Sequence, residues 1–224
     1  MIQAPDFGTL PPRIARLSVE QGWPVPWFVY RGEDGLGPPD FRVVDKRKFA
    51  KALTEHRCFI CGDLLGHWLA FPIGPMCAIT RTTSEPPSHR ECAEWSIQFC
   101  PFISNPAMVR RTADVPANAE EPAGVGLTRN PGVMCLWMTR TFEKFRVAKE
   151  QIGNDGILIT VGEPADVTWW CEGRPATRDE VKASVDSGFV NLLNVAKLQG
   201  PVAIEELSKQ AKRAEALWPA PATR

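Results

Sequence analysis

Short apolar runs set off by proline and glycine dominate the chain, and their spacing alternates between the two-residue period of strands and the longer period of helices. WFVY (27–30) and FRVV (41–44) predict two short strands joined by the turn-rich GEDGLGPPD. Asp45 then precedes Phe49, Ala52 and Leu53 at helical spacing, so a helix capped by Asp45 is expected to about His56. HWLAFPIG (67–74) and MCAIT (76–80) read as a hairpin turning at Gly74-Pro75. Ser88 and Glu91 stand in the S-x-x-E relation of a capping box, which predicts a helix from His89 to about Phe99, with Pro101 helping to end it.

The second half begins with VMCLWMT (133–139) and GILITVG (156–162), both strand-like, and VTWW (167–170) is a third candidate strand. Thr177 and Glu180 form another capping box and open a helical tail, which continues through 189–198 and, after Gly200-Pro201, through 202–217. Residues 1–24 are a proline-broken arm with Ile14, Leu17 and Trp23 available for packing, and 104–132 is a long loop rich in turn formers. The expected fold is α+β, with short, mostly antiparallel strands and a helical C-terminal tail. Its segments are 1–44 (arm and short strands), 45–103 (a cysteine-rich lobe), 104–132 (long loop), 133–175 (strand-rich part) and 176–224 (helical tail), packed as one unit.

Composition narrows the function classes. A chain of 224 residues buries roughly 70–75% of its unfolded surface, so any metal site serves a local segment rather than the whole fold. Twenty-six Lys/Arg balance 26 Asp/Glu, which removes a global electrostatic case for nucleic acid. A local case survives. Arg42, Lys46, Arg47, Lys48, Lys51 and Arg57 outnumber Asp45 and Glu55 within one stretch, although a solvated helix face has the same pattern. No window has the apolar length of a membrane span, and MIQAPDFGTLPPRIARL has no apolar core of signal-peptide length. Seven cysteines, an odd number in tight local spacing, argue against a disulfide framework and for a reducing cytoplasm.

The cysteines carry the sharpest chemistry. Cys58 and Cys61, followed by Gly62, have the C-x-x-C-G form in which a tight turn brings two sulfurs to one point. His89 and Cys92 share a face of the predicted helix in its first turn, where the helix N-terminus favours a thiolate. These four are the expected ligands of one structural Zn2+, with Cys77 and Cys100 as substitutes if His89 faces away. Free cysteines are also commonly buried as small hydrophobes, the reading that suits Cys135 and Cys171.

A two-ligand turn, a hairpin and a helix bearing two more ligands resemble the treble-clef zinc fingers in order and local spacing. The wider pattern GPMCAITRTTSEPPSHRECAEW, with WWCEGRPATRDEV, resembles a group of uncharacterised bacterial and bacteriophage proteins. That resemblance implies a bacterial cytoplasm, or a host cytoplasm if phage-encoded, and carries no catalytic residues with it.

Three functions follow. A ββα-metal nuclease would use His67 as general base, but His67 follows Gly66 and has no Asn or second His in the expected hairpin; Asp63 is the nearby carboxylate. A nucleic-acid binder would use Lys46, Arg47, Lys48, Lys51 and Arg57, with Arg81 and Arg90, and would stack bases on Trp68 or Trp95 unless Trp95 faces the core. A protein-binding module, favoured by the neutral charge, would use tryptophans such as Trp169-Trp170, or self-associate through Leu192, Leu193, Val195 and Leu198. The non-enzymatic protein-binding reading ranks first.

Overall fold

The computed structural model describes residues 4–109, 123, 129–148 and 155–221. In chain order the elements are α1 (Pro12–Ala15), β1 (Val19–Glu20), β2 (Trp23–Pro24), β3 (Val29–Tyr30), β4 (Asp40–Val44), α2 (Lys46–Thr54), β5 (Leu69–Ile73), α3 (Pro75–Thr80), β6 (Thr82–Thr83), α4 (Arg90–Phe99) and α5 (Pro101–Ser104). There follow β7 (Met134–Thr139), β8 (Phe142–Val147), β9 (Gly156–Val161), β10 (Asp166–Cys171), β11 (Arg174–Pro175), α6 (Arg178–Gln199) and α7 (Pro201–Glu215). The fold is α+β, and every strand pair is antiparallel.

A four-stranded sheet in the order β11-β10-β7-β5 is the backbone of the core. All residues of β7 are buried, because both faces of this strand are covered. Successive side chains point to opposite faces. Cys135 and Trp137, with Phe71, Ile73 and Trp169, pack toward Ile159 and Val161 of β9, Ala78 and Ile79 of α3, and residues of α6 and α7. Met134, Leu136 and Met138, with Ala70, pack instead against Ala93 and Ile97 of α4. The Trp137 indole donates to the Gly162 carbonyl at 2.9 Å, tying β7 to the end of β9 in the smaller sheet β6-β9-β8.

Several local expectations hold. The Asp45 carboxylate accepts the Arg47 and Lys48 backbone N–H groups and starts α2. Thr177 and Glu180 form the reciprocal capping box that starts α6. The three strands expected at 133–139, 156–162 and 167–170 are β7, β9 and β10.

Others are corrected. MCAIT is not a strand: it forms α3, with Pro75 at the first helical position and Ile79 facing the core. A proline whose φ is already helical opens this turn, and the partner strand of β5 is the distant β7. The hairpin expected across Gly74-Pro75 therefore does not form. The Ser88–Glu91 box does not form either. Ser88 pairs as an isolated bridge with Ala70, and His89 occupies the N-cap position without a capping side-chain bond. Pro101 starts the short α5 as well as following α4. β8 was not anticipated, because FEKFRV keeps four consecutive residues exposed and shows no clean apolar alternation. Of the expected loop 104–132, Ser104 ends α5 and Val109 bridges to Arg129, while 110–122 and 124–128 lie outside the described residues.

Candidate metal centre

Two local structures build the site. In the first, the chain reverses sharply after Cys58: its N–H donates to the Asp63 carbonyl at 2.8 Å, and the Gly62 N–H donates to the Cys58 carbonyl at 2.9 Å. Gly62 has φ +80, and a Cβ there would lie 2.7 Å from the Trp27 ring. Glycine alone allows both the left-handed turn and the indole packed on it. In the second, paired bonds of 2.9 and 2.8 Å between Ala70 and Ser88 lay the approach to α4 along β5. The Phe59 N–H donates to the Pro87 carbonyl at 3.0 Å, which joins the two structures. His89 then stands at the helix N-cap and Cys92 in the first turn.

These contacts bring Cys58, Cys61, His89 and Cys92 together, one donor atom from each lying within 4.8 Å of every other. The cluster can hold one metal ion. Cys61 Sγ and His89 Nδ1 are 3.4 Å apart. A tetrahedral ion with bonds of about 2.3 Å to sulfur and about 2.0 Å to nitrogen would separate such a pair by about 3.5 Å. The other imidazole nitrogen, Nε2, lies 3.1 Å from the Leu64 carbonyl. A carbonyl can only accept, so Nε2 carries a proton and Nδ1 is the nitrogen turned toward the cluster, free to bind a cation once its own proton is displaced. Cys58 Sγ accepts the backbone N–H groups of Cys61 and His89, each at 3.4 Å, an arrangement that favours a thiolate.

The electrostatics agree with the geometry. Burial pushes the Cys58 thiol up, but hydrogen bonds from Cys61, Cys92 and His89 outweigh it and hold the group below the usual thiol range. Hydrogen bonds to Cys58 and Cys61 raise His89 to about 10 against the opposing effect of burial. Bonds to the same two cysteines, then burial, raise Cys92. Cys58, His89 and Cys92 thus share protons that an incoming cation displaces.

The other sequence candidates lie apart from this cluster. Cys77 sits on α3, where burial pushes its thiol up to about 11, and Cys100 is the C-cap of α4, also raised by burial. Cys135 and Cys171 line the core face of the sheet. His67 is exposed, edge-on to Trp68, and belongs to no group among the described residues that can hold a metal. With α3 in place of the second strand, the hairpin on which a ββα-metal site depends is missing.

The basic run is largely engaged with its own neighbours. Arg57 meets Glu55 at 2.6 Å, Arg47 meets Asp45 at 3.5 Å, and Arg42 meets Asp40 at 2.7 Å. Lys48 Nζ donates to the Val29 carbonyl at 3.1 Å, while Lys46 and Lys51 are exposed on α2. Arg90 pairs with Glu94 and Asp166, and Arg81 with Glu163. Trp95 is buried in the lobe's own core and offers no stacking face; Trp68 is 44% exposed, with Arg140 over its ring at 4.4 Å.

Sequence reasoning missed the outer partners of the site: the Leu64 carbonyl and the ion pairs that Arg13 and Arg16 make with Asp63 and Glu91. A backbone acceptor has no sequence signature. The ion pairs join the arm to residues far along the chain, beyond any local pattern.

No family model matches the chain, and no curated protein or solved structure matches it, so the resemblance to bacterial and bacteriophage proteins gains no support from these comparisons.

Proposed function

We propose that the chain is a non-enzymatic binding protein whose lobe is held by one structural zinc ion on Cys58, Cys61, His89 and Cys92. The observation that carries this reading is the donor set: three sulfurs and one imidazole nitrogen lie within 4.8 Å of one another, with Cys58 and Cys92 fully buried. Four protein ligands complete a tetrahedron and leave no position for substrate, which distinguishes structural from catalytic zinc. Three thiolates with one imidazole suit zinc and disfavour the oxygen-seeking cations. The ion would supply the crosslink between turn and helix tip. Leu64 fixes the tautomer of His89, and Gly62 permits the turn.

The partner in this reading is a protein. Val190 and Val195 on α6, and Leu198 and Val202 beside its junction with α7, are exposed, Leu198 at 90% and Val202 at 80%. Leu192 and Leu193, by contrast, pack onto the protein's own core and are not available. A contiguous exposed apolar patch marks an interaction surface, whereas single exposed hydrophobics are ordinary, so these four are the candidates for such a patch. All seven cysteines are free, as suits a reducing cytoplasm. No helix among the described residues is long and apolar enough to cross a membrane. A phage or host accessory role rests on sequence resemblance alone, and the neighbouring genes test it.

Elemental analysis of protein purified without added metal should give about one equivalent of zinc; its absence from folded, reduced protein would refute the centre. Light scattering and pull-down from the native host should show association indifferent to salt. Binding to DNA or heparin that weakens steeply with salt would instead support the nucleic-acid reading through Lys46, Arg47 and Lys51.

A further inference from the structure

The N-terminal arm, which the sequence leaves without a role, closes over the metal centre. Ile14 is 1% exposed and packs in one cluster with Cys58, Ile60, Cys92 and Trp95, with Phe7, Leu10 and Leu17 around it. The Phe7 ring meets those of Trp95 and Phe99 at 5.7 and 5.3 Å. Arg13 pairs with Glu91, and its Nε lies 3.6 Å from the Asp63 carboxylate, which Arg16 also meets at 2.5 Å. Asp63 follows the Cys61 knuckle, and Glu91 directly precedes Cys92. Both carboxylates at the rim of the thiolate cluster are thus met by guanidinium groups from the arm.

The sign of the effect follows from charge counting. Three thiolates, a neutral imidazole and a divalent cation sum to a net single negative charge, whereas the metal-free, protonated donor set carries none. A neighbouring positive charge therefore favours the loaded form, and a neighbouring carboxylate opposes it. Arg13 Nε is buried and makes no hydrogen bond, so this end of the guanidinium contributes its charge without a bonded acceptor.

We propose that the arm is the closing element of the metal centre: Arg13 stabilises the loaded, anionic form, and Ile14 shields the Cys58 and Cys92 sulfurs from chelators and oxidants. This rests on the zinc reading above. It assigns the arm a regulatory consequence, since undocking it opens the thiolates to exchange and oxidation without altering any ligand.

The test uses the full zinc-loaded chain and compares wild type with Arg13→Gln, Arg13→Lys and Ile14→Ala. Zinc content is measured first, and circular dichroism checks the fold. Transfer of zinc to excess chromogenic chelator should be about tenfold faster in Arg13→Gln, the scale of one lost charge-assisted contact, and Arg13→Lys should restore most of the difference. Ile14→Ala should speed iodoacetamide labelling of Cys58 and Cys92, read by mass spectrometry, while labelling of Cys135 stays unchanged. Should Arg13→Gln fail to fold, Ile14→Ala and Arg13→Lys still decide the matter. One equivalent of zinc in every variant with unchanged transfer and labelling rates would overturn the arm's role and leave the metal centre standing. No zinc in the wild type would overturn both.

Discussion

Replacing Cys58 by serine is the most direct perturbation of the proposed centre. Cys58 is 0% exposed, and its sulfur accepts two backbone N–H groups while standing among the other three donors. A serine hydroxyl at neutral pH is not ionised, so the variant loses one metal–thiolate bond and the charge that those N–H groups favour. Structural zinc contributes on the order of 10–16 kcal/mol at pH 7, or about 2.5–4 kcal/mol for each of four ligands if shared evenly. That corresponds to a zinc affinity weakened by roughly two to three powers of ten. Competition against a chelator of known affinity measures it directly. Cys100→Ser is the matched control, because Cys100 is outside the cluster; its affinity should stay within a few-fold of wild type. A Cys58→Ser protein that retains one zinc with affinity within tenfold of wild type would refute the ligand assignment.

Three further outcomes follow from the fold. Trp137→Phe removes the donor to the Gly162 carbonyl in a residue 2% exposed, and chemical denaturation should show a loss of about 1–3 kcal/mol. Thr177→Ala breaks the capping box of α6 and should cost about 1 kcal/mol by the same measurement, with the metal content unchanged. The pairing with Arg174, then the bond from the Thr177 backbone, holds the Glu180 carboxyl at about 2. Its folded-state pKa lies below the unfolded value, so the stabilisation is present at neutral pH and disappears as pH falls from about 4.5 toward 2. The side chain is partly exposed and the effect is correspondingly small; Glu180→Gln should flatten this part of a stability-against-pH curve, and an unchanged acid limb would contradict the assignment.

The parts legible in the sequence are those whose physics is local. A C-x-x-C-G turn and an H-x-x-C pair at a helix start each place two donors together within a few residues, and both were readable from spacing. Asp45 and Thr177 announce their helices because a capping side chain bonds to the next turn of its own backbone. Strands β7, β9 and β10 were visible as apolar runs bounded by turn formers. Each of these needs only neighbouring residues to be favourable.

Tertiary structure decided what those neighbours could not. MCAIT suits a strand or a helix by composition; packing of Ala78 and Ile79 beneath β7, with proline at the first helical position, made it α3. Ser88 could have capped α4, yet its backbone is taken by Ala70, which moved the cap to His89 and freed the imidazole for the cluster. Trp95 could have been a stacking platform until the arm buried it. That two donor pairs, readable separately, meet at one point depends on Phe59–Pro87 and Ala70–Ser88 bonds between segments remote in sequence, and such contacts gain their free energy only once the chain has folded around them.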